Sequence, residues 1–515
     1  MKYPFTVQKL DVSTGGKKVV LLSKEDAADL ALTSGDRVHV WKNNKSCTAI
    51  VDLTSKFIKQ GNVGLFSEVV DVLKAKNGEK VYIEHAEKPV SVDYIRKKMD
   101  GHSLTKEEIN TIISDLMAEN LSEVELAGLI SAWYIHGLND EETIALIKSI
   151  VASGNTLNFN KRPILDKHCL GGVPGNRTTM LIVPIIASAG LLIPKTSSRS
   201  ITSPAGTADT MEVLAKVDLN EQELKKVVEA TNGCIAWGGA INLAAADDKL
   251  IKIRHPLSLD PEGVMLASIL AKKKAVGATN VLIDIPMGYG AKIETKRQAE
   301  AIAEKIMRYG SLLGMEIKCI ITPGYDPIGQ AVGPALEARE VLRILEGENV
   351  SPDLKEKSIV MAGILLESGG KVKNGEGAAL ARKILESGEA LEKFREIIKY
   401  QKGDPRVTSK DVEVGKYTET LKSDRDGRIH YIDIKKIAKI ARAAGAPKNK
   451  KAGLYFYVEK GDKVKKGQEL LTVYAETEEK LQSALDLYQK LQPIEFEKII
   501  LGEFTTEQKP KIYTL

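Results

Sequence analysis

This chain is poor in cysteine and aromatic residues, has no long apolar run, and shows almost no charge imbalance. Its four cysteines (Cys47, Cys169, Cys234, Cys319) lie far apart, with no CxxC pair and no Cys/His spacing of a structural zinc site. Thiols so scattered suit a reducing compartment better than a disulfide framework. No apolar stretch is long enough to span a bilayer, and the N-terminal MKYPFTVQKLDV lacks the apolar centre of a signal peptide. A cytoplasmic protein with no membrane partner is therefore expected. The 74 basic residues nearly balance 69 acidic ones, and the net charge of +5 is spread along the chain, so no nucleic-acid partner is expected. Two nucleotide signatures are also missing. There is no GxxxxGK(S/T) phosphate loop, and no GxGxxG sits at a strand–helix turn.

What is present divides the chain. At 515 residues it is too long for one core. Residues 1–86 alternate or run β-branched in FTVQKLDV, KKVVLL, DRVHVW, CTAIVDL and KVYIEH, which predicts a β-rich, barrel-like domain. From residue 92 the period becomes helical. Thr105 with Glu108, Ser122 with Glu125 and Asn139 with Glu142 are spaced as capping boxes. A helical domain over 92–157, joined by part of 246–276, is expected. Over 161–403 apolar strand-like runs alternate with helical ones, which predicts an α/β domain with a mixed sheet and crossover helices. GDPRV at 403–407 opens a C-terminal α+β domain, 404–515, read as hairpins over 453–480.

The chemistry concentrates in residues 166–207, where DKHCLGGVPGNRTTM and IPKTSSRSITSPAGTAD flank an apolar run. Exposed backbone N–H groups, hydroxyls and cations are what an oxyanion cleft needs. Lys167 beside Gly171 and Gly172 reads either as a phosphate holder or as an exposed lysine at a glycine turn. From Thr196 to Ser203 six of eight residues carry hydroxyls, with Arg199 among them. Pro194, Pro204 and Gly206 restrict this segment, so it reads as a binding loop rather than a linker. Asp260-Pro261-Glu262 has the form of a helix start, with Asp260 at the cap. Ser268 and Lys272 share one face of that helix. Lys292 lies in a Pro/Gly loop after the strand NVLIDIP, and is either a second ligand cation or a solvent lysine.

Taken in order, DKHxxGG, IPKxSSR, GTxD, ASILAKKKAVGA and VLIDIPMGYGAKI resemble the thymidine/pyrimidine-nucleoside phosphorylase superfamily over about residues 92–505. VPGN at 173–176, DIPMG at 284–288 and the additional N-terminal domain are similar to its archaeal AMP phosphorylase branch. The resemblance implies a helical domain hinged to an α/β domain with the substrate cleft between them, and a C-terminal hammerhead-like domain. It implies phosphorolysis of AMP, and of nucleoside 5′-monophosphates such as CMP and UMP, to free base and ribose 1,5-bisphosphate in nucleotide salvage. Carried over by motif, the AMP contacts are Gly172, Ser198, Arg199, Ser200, Ile201, Thr202, Ser203, Thr207, Ser268 and Lys292. The proton donor falls on Asp260, and inorganic phosphate falls to Lys167, Thr179, Ser197 and Thr207. Cys169 stands where the superfamily usually has a serine, and a thiol is the poorer donor. No metal or organic cofactor is implied, because phosphate is the co-substrate. A homodimer or larger homo-oligomer is implied.

Two other activities stay open at this point, a thymidine or uridine phosphorylase and a phosphoribosyltransferase of the anthranilate type, as does a non-enzymatic nucleotide sensor. GDKVKKGQ at 461–468 is similar to lipoyl and biotinyl carriers, which place an acceptor lysine in the next hairpin. Glu479 occupies that place, with Lys480 one position off, so the shape without the prosthetic group is expected.

Overall fold

The structure is a computed structural model that describes residues 2–200 and 203–497, and the backbone of 502–505 and 508–512. Ile201 and Thr202 lie outside the described residues. The chain forms two compact units, residues 1–154 with 244–268, and residues 155–243 with 269–515.

The first unit opens with six strands, Tyr3–Lys9 (β1), Val19–Ser23 (β2), Arg37–Lys42 (β3), Lys45–Thr54 (β4), Asn62–Leu65 (β5) and Lys80–His85 (β6). They close on one another in the order β1-β5-β2-β4-β3-β6. The pairs β1–β5 and β2–β4 are parallel and the others antiparallel. Alternate residues such as Val38, Val40, Val81 and Ile83 point inward and are fully buried, as a period of two requires. Closure leaves no free sheet edge.

Four helices follow, the first being Ser91–Met99. The other three, Lys106–Ala118, Glu123–His136 and Asp140–Ala152, each start in a reciprocal capping box on the pair read from the sequence. Each cap satisfies helix N–H groups that would otherwise lack partners, worth roughly 1 kcal/mol. Glu142 does more than cap. Its buried carboxylate takes the Lys98 ammonium at 2.7 Å and the Leu104 N–H at 2.9 Å. Helix Ala245–Leu257 returns to this bundle, with Lys249 reaching Glu119 at 3.1 Å and the Ala246 N–H reaching Ser153 Oγ at 3.0 Å.

The second unit carries strands Leu165–Cys169 (β7), Ile193–Ser197 (β8), Gly233–Trp237 (β9), Asn280–Met287 (β10) and Glu316–Pro323 (β11). β11-β10-β7 form one sheet and β8-β9 another, with a single parallel bridge, Ile164 to Leu192, between their leading edges. The mixed sheet expected here is not found among the described residues. Both sets pair in parallel throughout. In β10 seven of eight residues are buried, as in a strand covered on both faces. Helix Thr178–Ser188, buried along all but its last residue, packs in the core with Leu165, Leu282 and Ile235. Ala331–Val332 leaves this region to pair antiparallel with Gly453–Phe456 in the C-terminal sheet.

Beyond residue 404 the hairpin reading holds only in part. Glu479 and Lys480 sit in the first turn of helix Glu478–Leu491, not in a hairpin, because the Thr477 hydroxyl accepts the Lys480 N–H and caps that helix. Among the described residues, no helix is long and apolar enough to cross a membrane.

Candidate active site

The two loops of residues 166–207 emerge from the C-terminal ends of β7 and β8, where parallel α/β sheets bind ligands. Lys167, Lys195 and Lys273 are buried along these strands with Asp166 and Asp284, and Lys357 is partly buried beside them. Asp166 takes the Lys273 ammonium at 2.6 Å, with Lys195 at 3.7 Å. Asp284, at the middle of β10, takes Lys357 at 3.0 Å and the Thr322 hydroxyl at 2.6 Å. Lys167 is 2% exposed and donates to Thr178 Oγ1 at 2.8 Å. Burial lowers the Lys167 pKa, with Asp284 among the groups that offset it, and pushes Lys195 down to about 7 with help from Lys273. Burial works against the Asp284 carboxylate too, but Lys167, Lys357 and Thr322 outweigh it and its pKa falls. Burial also keeps His168 neutral, its pKa well below the usual value. Even with Lys195 only partly charged, the lysines outnumber the two carboxylates, and an anion is the natural complement.

The first loop is held by side chains. Thr178 relays from Lys167 to Asn176 Oδ1 at 3.1 Å, and the Asn176 amide donates to Asp284 and to Cys169 Sγ, both at 3.4 Å. Cys169 therefore serves as an acceptor, also taking the Gly171 N–H, and burial raises its thiol to about 11. Thr178, next to Thr179, is the residue that touches Lys167. Gly172 has φ +97°, and a Cβ there would lie 3.1 Å from the Lys292 backbone nitrogen. The loop carrying Lys292 thus meets the first loop backbone to backbone, as only glycine permits. Tyr431 secures that loop from the C-terminal side, donating to the Tyr289 carbonyl at 3.3 Å with the two rings edge to face.

The second loop is organised by Asp209, whose Oδ2 accepts the N–H of Ser200 at 2.7 Å and of Gly206 at 2.9 Å. Ser200 and Ser203 hydroxyls meet at 2.9 Å. Arg199 is not presented as an open fork. Its guanidinium bonds Glu212 and Asp218 and lies 4.9 Å over the Trp237 ring. Those carboxylates raise its pKa, led by Glu212. Lys450 joins the same network at 2.6 Å from Glu212 and 3.3 Å from Asp209. Arg177, unremarked in the sequence, links Glu337 to Thr207 Oγ1 (3.2 Å) and the Ala205 carbonyl (2.9 Å).

In the first unit, Ser268 donates to Asp247 at 2.6 Å, and Asp260 accepts from the Arg254 guanidinium. The helix reading needs one correction. The helix spans Glu262–Ala275, with the Met265 N–H donating to the Pro261 carbonyl, one residue later than the start read from the sequence. Among the described residues, no group of three or more His, Cys, Asp or Glu is placed to hold a metal. Sequence reading missed Asp166, Asp284 and Glu337. The usable signal was a lone charge inside an apolar strand, as in VLIDIP.

Three family models match in chain order: the glycosyl transferase family helical bundle domain over 92–154, the glycosyl transferase family a/b domain over 161–391, and the pyrimidine nucleoside phosphorylase C-terminal domain over 428–495. A solved anthranilate phosphoribosyltransferase from Thermus thermophilus is similar in fold over 60% of this chain and all of its own, with TM-score 0.50 and 22% identity. By architecture the chain is a glycosyl transferase. AMP phosphorylases of Methanococcoides burtonii and Methanocaldococcus jannaschii are each 46% identical to it, covering 96% and 97% of this chain and 97% and 99% of their own. The AMP phosphorylase of Methanothrix thermoacetophila is 44% identical over 98% of this chain and 99% of its own. The chain belongs to the AMP phosphorylase family.

Proposed function

We propose that this protein cleaves AMP, and with it CMP and UMP, by phosphorolysis to free base and ribose 1,5-bisphosphate, serving nucleotide salvage in the cytoplasm. The observation that carries the reading is the set of lysines gathered around Asp166 and Asp284, in parallel strands of a region whose strand ends present two polar loops. Lys167, Thr179, Ser197 and Thr207 hold inorganic phosphate. Gly172, the segment Ser198 to Ser203, Thr207, Ser268 and Lys292 bind the nucleotide, and Arg199 takes the 5′-phosphate once that group displaces a carboxylate from the guanidinium. Phosphate attacks C1′ through an oxocarbenium-like transition state. Holding it against C1′ supplies most of the acceleration, and Asp260 protonates the departing base. The nucleophile is the co-substrate, so the scheme uses no cofactor. The working form is a homodimer or larger homo-oligomer built from four domains, 1–86, 92–157 with part of 246–276, 161–403 and 404–515, with a hammerhead-like C-terminal part.

The deciding experiment incubates a panel of nucleosides and nucleoside 5′-monophosphates with phosphate and scores base release. AMP is expected to release adenine only when phosphate is present, with thymidine a poor substrate. Faster turnover of nucleosides than nucleotides would make it a nucleoside phosphorylase. Nucleotide binding without phosphate-dependent turnover would make it a sensor.

A further inference from the structure

Arg177 is a buried guanidinium that no part of the scheme uses. It stands at the entry to helix Thr178–Ser188, at the end of the first loop, yet its bonds go to the second. Nη1 donates to Thr207 Oγ1 at 3.2 Å and Nη2 to the Ala205 carbonyl at 2.9 Å. Nε is tied to Glu337 of helix Pro334–Leu345. Glu337 is itself fully buried and also takes the Gly333 N–H at 3.0 Å and the Thr210 hydroxyl at 3.1 Å. The fork is thus fixed from behind by Glu337 and reads the Ala205–Thr207 segment with both terminal nitrogens.

A guanidinium only donates, and a hydroxyl has one proton. With Arg177 giving a hydrogen to the Thr207 oxygen, the Thr207 proton must point to some other acceptor. The same fork sets the position of that oxygen through the Ala205 carbonyl two residues earlier. A lysine could not do both, because a point charge lacks the planar two-nitrogen geometry. Arg177 also lies close enough to lower the Lys167 pKa, so the two loops meet around it.

We infer that Arg177, fixed by Glu337, is a positioning residue that commits the Thr207 hydroxyl to donate its proton to the inorganic phosphate. The inference rests on the phosphorolysis reading through the placement of phosphate at Thr207. It makes Arg177 responsible for phosphate affinity without touching phosphate.

The test measures inorganic phosphate binding to the full-length protein by calorimetry, and KM for phosphate and kcat in AMP cleavage. Two variants are used, because opening a buried ion pair can unfold a protein. Arg177→Lys keeps the charge and loses the fork, and Arg177→Met with Glu337→Gln removes both charges. Both are expected to weaken phosphate binding about tenfold, in proportion to one lost hydrogen bond to a charged group. KM for AMP should rise less than KM for phosphate, because Thr207 is one nucleotide contact among several. Adding Thr207→Val to either should cost no more, since the hydroxyl is already misdirected. Equal losses for AMP and phosphate, or a full additional loss from Thr207→Val, would reduce Arg177 to a purely structural residue and overturn the inference. If the wild type binds phosphate but cleaves no nucleotide, the phosphorolysis reading fails while the binding cycle still decides the role of Arg177. If it binds no phosphate, both fall.

Discussion

Arg199 and Glu212 form a two-pronged ion pair, Nη1 to Oε2 at 2.6 Å and Nη2 to Oε1 at 2.5 Å, thirteen residues apart across the second loop. Arg199 holds the Glu212 pKa down to about 2, with Lys450 assisting, so the pair persists at any pH where the protein works. A 5′-phosphate that uses Arg199 has to compete with that carboxylate. Glu212→Gln should therefore lower KM for AMP by about two- to fivefold, as suits a pair roughly a third exposed. KM for the unphosphorylated nucleoside should not move. If KM rises for both instead, Arg199 anchors the loop and does not bind substrate.

Asp260 gives a sharper outcome. With the carboxyl replaced by an amide in Asp260→Asn, kcat for AMP should fall by about 10²–10⁴ if the group is the proton donor. The melting temperature should stay near that of the wild type, since the ion pair of Asp260 with Arg254 is partly exposed. Retained kcat with lowered stability would move the side chain out of the chemistry and leave it as the partner of Arg254.

The neighbouring threonines Thr178 and Thr179 separate support from contact. Thr178 accepts from the buried Lys167 ammonium, so Thr178→Val should cost about 1–3 kcal/mol in urea unfolding. Thr179→Val should leave stability alone and raise KM for phosphate about tenfold. Loss of phosphate affinity in the first variant, with the second neutral, would transfer the phosphate contact to Thr178.

Glu340 should set a pH slope on stability. Burial pushes its carboxyl up to about 8, against the opposing pull of Ser351 and the Gln330 N–H. An acid bound more tightly to its proton in the native state stabilises fully below the unfolded value, near 4.5. That contribution is lost as pH rises and is gone above about 8, because only the unfolded chain releases the proton in between. Melting temperature should fall between pH 5 and 8. Glu340→Gln should flatten that decline, and an unchanged slope in the variant would assign it to other groups.

The parts of the fold written locally were the parts legible in the sequence. Three capping boxes involve residues three apart and could be read directly, as could strands with a period of two. The mixed sheet was misjudged because a run such as NVLIDIPM shows that both faces are covered without showing which way its neighbours run. Thr477 was a local cap signal, but the likeness of GDKVKKGQ to carrier domains drew attention to a hairpin. In the candidate site, residue types were legible and partners were not. Nothing near Arg199 in the sequence says that Glu212 and Asp218 will saturate its fork, and nothing near Arg177 points to Glu337, 160 residues away.

Asp166 draws Lys195 from the next strand and Lys273 from a helix 107 residues later, while Asp284 draws Lys357 from 73 residues later. The charges that surround Lys167 are thus assembled only after distant stretches of chain have come together, and each is costly to bury before its carboxylate arrives. Anion affinity should therefore switch on as a single cooperative event during folding, late and all at once. A fragment ending before residue 357 would hold the motifs intact and bind nothing.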